Sequence, residues 1–234
     1  MQIVADTRQF FNDARTLVYQ KNDRQNVDTW IRVITFTVPT IFLAIVLIQP
    51  WAEPKWMFLD TVTAARFSDE CCSTSYGFVS NLGIMLWSAT AAVCLFAAGI
   101  FERANARALM WFALSAGLLN GWLALDDAFL LHENVLPYFG IPQNLVLASY
   151  VVLALAYAAA SWRIILASDY MILLVAGAAV ALSLLVDTVF SSLVPSLVYI
   201  EDSAKFFGIF SWASFHLTTL YFLVTRTLVS EIKV

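Results

Sequence analysis

Residues 78–101 read FVSNLGIMLWSATAAVCLFAAGIF, a run of 24 residues without a single charged side chain. At a rise of about 1.5 Å per residue, a helix of this length crosses the roughly 30 Å hydrocarbon core of a bilayer. Lipid offers the backbone no hydrogen-bond partner, so such a run is stable in a membrane only as a helix that satisfies its own N–H and C=O groups. The run therefore predicts a transmembrane helix.

Five further apolar segments lie along the chain, and together with this run they predict an all-α polytopic membrane protein. The composition agrees, because 61% of the 234 residues are hydrophobic and only 13% are charged, about half the charged fraction of a soluble domain. The net charge of −4 and the lack of a basic run exclude nucleic acid as a partner and leave the lipid bilayer. The six predicted spans are about 33–48, 78–101, 108–125, 145–162, 170–186 and 206–225.

The basic residues predict the orientation of the bundle. Of the 13 Lys and Arg residues, all but Lys55, Arg66 and Lys205 fall on the side of the chain termini. This excess predicts that both termini are cytoplasmic, in a bacterial inner membrane. Residues 1–29 carry apolar side chains at helical spacing, which predicts an amphipathic helix on the cytoplasmic membrane surface. Residues 30–234 are then a single six-helix transmembrane domain.

The most informative stretch is LDDAFLLHE, residues 125–133, at the outer end of the third span. Two adjacent carboxylates, an imidazole and a third carboxylate lie here within two helical turns, where charged groups are costly unless they face protein or water. If the helix continues through the stretch, Asp126 and Glu133 share one face, because seven residues are close to two turns. The stretch thus predicts a polar site at the outer membrane interface.

Acids from two other spans reach the same depth. Asp187 ends the fifth span, and Glu201 and Asp202 precede the sixth, so three helices bring carboxylates to one outer level. Like charges in a medium of low dielectric repel one another unless protons or a cation neutralise them, which predicts a metal or protonation site. The candidate residues are Asp126, Asp127, Glu133 and Asp187 as catalytic groups, His132, His216, Glu201 and Asp202 as metal ligands, and Asn120, Lys205, Trp212 and Ser183 in support.

Carboxylates with one or two imidazoles suit a divalent metal ion such as Zn, Fe or Mn. Such an ion would activate a water molecule, and a spare carboxylate could act as general base. Several of the residues also have a structural interpretation. Lys205 has the i,i+4 spacing of an ion pair with Glu201. His216 lies near mid-membrane at the level of Asn120, so it could be an interior histidine with that amide as its hydrogen-bond partner.

Short motifs along the chain resemble those of the alkaline ceramidases and their wider superfamily of membrane hydrolases. The motifs are Asp69-Glu70-Cys71, Val79-Ser80-Asn81, Leu125-Asp126-Asp127, Leu185-Val186-Asp187, and the last span from Ser211-Trp212 to His216. The resemblance implies a seven-helix bundle that hydrolyses a lipid amide, with zinc held by histidines from two helices and with Ser and Asp assisting.

The resemblance carries over residue by residue to only part of this pattern. It implies that Asp126 or Asp127 is catalytic and that His216 is a metal ligand. Ser115 or Ala116 stands where the family has a ligating histidine, and Trp212 stands where the last helix has the first of its two histidines. In a relative of this family, the metal site would therefore be rebuilt around His132 and the acids, or lost.

Two functions remain after these observations. The leading prediction is an integral membrane, metal-dependent hydrolase that acts on a lipid-like amide or ester near the non-cytoplasmic face. The alternative is a non-enzymatic membrane subunit, or a proton- or cation-handling protein, whose acids form an ion pathway or a structural network. The adjacent Cys71 and Cys72 on the outer face could pair with each other or with another chain.

Overall fold

The computed structural model describes residues 21–68, 73–187 and 198–232, and every regular element within these ranges is a helix. The predicted all-α fold is therefore confirmed. A π-helical turn, Leu131–Val135, follows the third long helix. The α-helices are α1 Lys21–Ile48, α2 Pro54–Phe58, α3 Thr61–Phe67, α4 Phe78–Arg103, α5 Arg107–Phe129, α6 Leu136–Tyr138, α7 Gln143–Ala167, α8 Tyr170–Leu185 and α9 Val198–Ile232.

The chain is a polytopic helical membrane protein. Five helices, α1, α4, α5, α7 and α9, are long and apolar enough to cross a membrane, and they contain five of the six predicted spans. The remaining span corresponds to α8, an apolar helix of 16 residues. Residues 1–20, which hold most of the predicted interfacial helix, lie outside the described ranges, as do Cys71 and Cys72.

The short helices α2 and α3 pack against the start of α4. Gly77 precedes α4 with a φ of 68°, and its N–H donates to the carbonyl of Trp56 at 2.9 Å. A Cβ at Gly77 would collide with the hydroxyl of Thr61, so both the backbone angle and the space require glycine. Phe58 of α2 is buried among side chains of α1, α4 and α9. The short helices thus close one end of the bundle.

Helix α9 packs closely on α8 through a glycine. A Cβ at Gly208 would lie 2.7 Å from Cγ2 of Val180 and 3.1 Å from the carbonyl oxygen of Ala176. Gly117 of α5 faces α4 in the same way, since a Cβ there would lie 2.8 Å from the side chain of Leu95. Lipid tails are as apolar as these side chains, so helices in a membrane associate through close packing of this kind.

A bidentate ion pair ties α1 to the loop before α8, at the end of the bundle that is predicted to be cytoplasmic. Nε of Arg32 donates to Oδ2 of Asp169 at 2.6 Å, and Nη2 donates to Oδ1 at 2.9 Å. The planar guanidinium matches the carboxylate in this geometry, which fixes direction as well as distance. The pair therefore sets the position of α1 against the α7–α8 connection.

The close approach at Gly208 generates a prediction about stability. We expect Gly208→Ala to destabilise the protein by roughly 1 to 3 kcal/mol, because the added methyl group overpacks the α8–α9 contact. Gly177→Ala is the matched control, since a Cβ on that α8 glycine meets nothing within 4 Å. Thermal unfolding in detergent should show a lower midpoint for Gly208→Ala and no loss for Gly177→Ala. Equal shifts in the two variants would contradict the packing described here.

Candidate functional site

The C-terminal end of α5, which is predicted to lie on the outer side, folds back on itself. Leu130 ends α5 with φ 50° and ψ 46°, a left-handed conformation that non-glycine residues seldom adopt, and the π-helical turn follows. The turn returns His132 to Asp126. The backbone N–H of His132 donates to Oδ1 of Asp126 at 2.9 Å, and its ring Nδ1 lies 2.6 Å from Oδ2. The helix does not continue through the stretch, so the condition under which Asp126 and Glu133 would share one face is not met.

Tyr150 of α7 completes the environment of Asp126. Its hydroxyl donates to Oδ1 at 2.7 Å, and its ring meets the ring of His132 edge-on at 6.5 Å between centroids. Asp126 is only 3% exposed, so its carboxylate depends on these three hydrogen bonds in place of water. Sequence reasoning missed Tyr150. Its depth could have indicated a role at the site, because it lies two turns into an otherwise apolar span, close to the predicted depth of the outer acids.

Glu133 connects the pair of Asp126 and His132, hereafter the dyad, to the outer surface. Its Oε1 lies 3.5 Å from Nε2 of His132, and its side chain is 41% exposed. Burial lowers the pKa of His132, but the hydrogen bond to Asp126 and the negative charges of Asp126 and Glu133 outweigh burial, so that the pKa lies above its ordinary value of 6.5. Burial also raises the pKa of Glu133, against the opposing positive charges of His132 and Lys205.

Asp127 is neutralised from another helix. Nζ of Lys205, on α9, donates to Oδ1 of Asp127 at 2.8 Å, and the side chains are 40% and 12% exposed respectively. Lys205 thus pairs across the bundle with α5, and the interpretation of Lys205 as an i,i+4 partner of Glu201 is wrong. Residues 78 positions apart in sequence share this bond, so helix periodicity alone could not identify it.

The remaining predicted acids lie close enough for their charges to interact. The charge of Glu133 acts on Glu201 and Asp202, and that of Asp187 acts on Glu133 and Glu201. The structure therefore brings the predicted outer acids of three helices to one region. Within residues 21–68, 73–187 and 198–232, however, no group of three His, Cys, Asp or Glu side chains is arranged to hold a metal ion. The divalent metal remains a prediction.

His216 belongs to a separate, deeper network. Its Nδ1 must carry the hydrogen, because it contacts the carbonyl oxygen of Trp212 at 2.9 Å, and its Nε2 then accepts the hydroxyl hydrogen of Tyr157 at 2.8 Å. Both ring nitrogens are thus engaged. The predicted bond between His216 and Asn120 is wrong, since Oδ1 of Asn120 accepts from the indole Nε1–H of Trp212 at 3.1 Å.

The two networks are separated in depth. Asn120 precedes Asp126 by six residues of α5, or about 9 Å along the helix axis. Between these levels lie Leu123 of α5 and Ala154 of α7, both packed against the apolar core. Ser183, the remaining predicted supporting residue, is buried on α8 at 5% exposure. The candidate site is therefore the outer cluster around the dyad, while His216, Asn120 and Trp212 form an interior polar network.

A comparison with protein-family models finds one family for this chain. The model, described as Domain of unknown function (DUF8692), matches residues 33–219, which is most of the sequence. The chain belongs to the DUF8692 family. No curated protein and no solved structure matches it. The region matched by DUF8692 includes the outer cluster and the interior network, and the resemblance to alkaline ceramidases remains a prediction from short motifs.

The ion pair between α5 and α9 can be tested by a double-mutant cycle. We expect Lys205→Met to cost roughly 1 to 3 kcal/mol, because it leaves the largely buried carboxylate of Asp127 without its donor. Asp127→Asn in the same background should recover part of that loss, which a comparison of unfolding midpoints in detergent would measure. Glu201→Gln is the control, since this acid also lies near Lys205. Coupling of Lys205 to Glu201 as strong as that to Asp127 would contradict the assigned pair.

Proposed function

We propose that this DUF8692 protein handles protons at an acid–base site that faces the non-cytoplasmic side of the membrane. The observation that carries the proposal is the buried dyad, in which Nδ1 of His132 lies 2.6 Å from Oδ2 of Asp126 while Nε2 is directed towards the half-exposed Glu133. The excess of basic residues at the opposite end supports cytoplasmic termini in a bacterial inner membrane. This function corresponds to the alternative, proton-handling prediction.

Each residue of the site has a defined role in this proposal. Asp126 accepts a hydrogen bond from Nδ1, so neutral His132 keeps a lone pair on Nε2. A proton from the outer water reaches Nε2 by way of Glu133, and the resulting imidazolium is stabilised by the carboxylate of Asp126. Release follows the same route in reverse. The hydroxyl of Tyr150 and the backbone N–H of His132 also donate to this carboxylate.

The apolar layer below the dyad makes the site one-sided. Leu123 and Ala154 pack there against the core, and the network of Asn120 and Tyr157 is about two helical turns deeper. The contact of Nε2 with Glu133 at 3.5 Å therefore supports proton exchange between His132 and the outer side. We accordingly propose exchange with the outer side, and not conduction across the membrane.

The proposed proton site predicts a specific pH dependence. Only two histidines are present, so histidine-selective ¹⁵N labelling resolves both by NMR in nanodiscs. We expect His132 to titrate above 6.5. Glu133→Gln should lower the titration midpoint of His132, because a negative charge beside Nε2 is lost. A titration of His132 below 6.5, or one that Glu133→Gln leaves unchanged, would count against the proposal.

The same shift fixes the sign of the effect on stability. Because the folded-state pKa of His132 is raised, its stabilising contribution is complete below about 6.5 and is lost as the pH rises through the folded-state pKa. His132→Gln should therefore lower the unfolding midpoint more in mildly acidic than in mildly alkaline buffer. Tyr157→Phe, which alters the interior network instead, should show no such pH dependence.

A metal-dependent hydrolase acting on a lipid-like amide or ester is the second candidate. One observation favours it: a carboxylate on Nδ1 with Nε2 directed outwards is the arrangement in which histidines ligate metals. Nε2 of His132 and the carboxylates of Glu133, Glu201 and Asp202 would have to move together to hold Zn, Fe or Mn, since no three such side chains in the described ranges are arranged to do so. Such an ion would supply Lewis acidity beside the acyl chains. In this candidate, Asp187 is the spare carboxylate that acts as general base.

Metal analysis separates the two candidates. Protein purified in detergent from metal-supplemented cells should contain Zn, Fe or Mn in near-stoichiometric amount if the second candidate is correct, and the double variant His132→Ala, Asp187→Ala should lose it. His216→Gln is the control, because both ring nitrogens of His216 are already engaged and its loss should leave the metal content unchanged. If the wild-type protein contains no bound metal, the hydrolase candidate is rejected and the proton site remains.

A further inference from the structure

We propose that Tyr150 is the positioning residue of the dyad: its hydroxyl anchors the Asp126 carboxylate from a second helix and so selects the His132 tautomer with hydrogen on Nδ1. The inference rests on the proposed proton site, to which it adds a residue that determines which ring nitrogen receives the proton. Nothing in the sequence motifs indicated this role. It follows from which element supplies each hydrogen bond to the carboxylate.

The three donors to Asp126 are not equivalent. Two of them, the backbone N–H and ring Nδ1 of His132, belong to the π-helical turn and move with it. The third, the hydroxyl of Tyr150, comes from α7 and is 24 residues away in sequence. The terminal torsion of an Asp side chain is broad and only weakly fixed by its own preferences. Tyr150 is therefore the donor that fixes the carboxylate relative to the rest of the bundle.

The position of Tyr150 is set independently of the dyad. Tyr157 lies seven residues further along α7, on the same face, and its hydroxyl bonds to Nε2 of His216 on α9. Tyr157 is 5% exposed and packs in the main apolar core. Helix α7 is thus anchored below the site. It presents the Tyr150 hydroxyl to Oδ1 of Asp126 at a position that the turn does not determine.

The orientation of the carboxylate decides the tautomer. With Oδ1 occupied by Tyr150 and the His132 backbone, Oδ2 remains as the acceptor for Nδ1–H, and the lone pair of neutral His132 lies on Nε2. The other tautomer would place the Nδ1 lone pair against a carboxylate oxygen, which is repulsive. Without the hydroxyl of Tyr150, the carboxylate can turn so that neither oxygen faces Nδ1, and it then no longer enforces this choice. Through Asp126, Tyr150 therefore determines whether Nε2 presents a lone pair or a hydrogen to Glu133.

The test compares two phenylalanine variants on the same face of α7. Wild type, Tyr150→Phe and Tyr157→Phe are labelled with ¹⁵N-histidine and recorded in nanodiscs at one alkaline pH where His132 is neutral. The ¹⁵N shifts distinguish a ring nitrogen that carries hydrogen from one that does not. We expect pure Nδ1–H His132 in wild type and in Tyr157→Phe. Tyr150→Phe should lose this purity and show a mixture that includes the Nε2–H form.

His216 provides the internal control in every spectrum. Its Nδ1 donates to the Trp212 carbonyl, so it should remain Nδ1–H in Tyr150→Phe, which shows that the bundle is intact. Retention of pure Nδ1–H His132 in Tyr150→Phe overturns the inference, and so does an Nε2–H wild type. Loss of the His216 signal in Tyr150→Phe also overturns it, because the hydroxyl would then be required for folding. The tautomer is read at fixed pH, so a failed His132 titration would refute the proton site alone.

Discussion

The lack of water inside a bilayer is the constraint on which the rest of this structure depends. Lipid offers no hydrogen bonds, so a polar group inside the membrane must find its partner in the protein. Burying an unpaired charged group costs more free energy than burying an unpaired neutral one. Asp126, Asp127, Asn120 and His216 accordingly find their partners within the protein. Asp126 takes three hydrogen bonds from His132 and Tyr150, and Asp127 is paired with Lys205 across the bundle.

These bonds also determine the architecture of the site. Close packing at glycines such as Gly208 brings the helices together, and the polar contacts then fix their rotation and depth. The hydrogen bond from Tyr150 joins α7 to the dyad at the end of α5, and the Lys205 ion pair joins α5 to α9. The carboxylates of Asp126 and Asp127 are thus stabilised by groups of the protein: Asp126 by its three hydrogen bonds and Asp127 by its ion pair with Lys205. Glu133, Glu201 and Asp202 are the acids on which the proposed proton or metal chemistry depends.

Much of the fold follows from the sequence. The wrong predictions concern the hydrogen-bond and ion-pair partners of particular side chains. The six apolar segments, the helical class and the convergence of acids at one level all follow from spacing and from the rise of a helix. The break at Leu130 does not, because neither glycine nor asparagine marks the left-handed residue and Leu-Leu is typical of a continuing helix. The sequence also did not predict that Lys205 pairs with Asp127 or that His216 bonds to Tyr157, since each of these partners lies on another helix.

The sequence by itself determined that the chain is a helical membrane protein and at what depth each polar residue lies. Hydrophobic length and helical rise are local properties, and the bilayer imposes them regardless of the neighbours. Only the tertiary structure decided which polar groups meet, because that depends on the rotation of each helix about its axis. A Tyr at position 150 is unremarkable in the sequence of a span. It becomes part of the proposed acid–base site because α7 turns its hydroxyl towards Asp126.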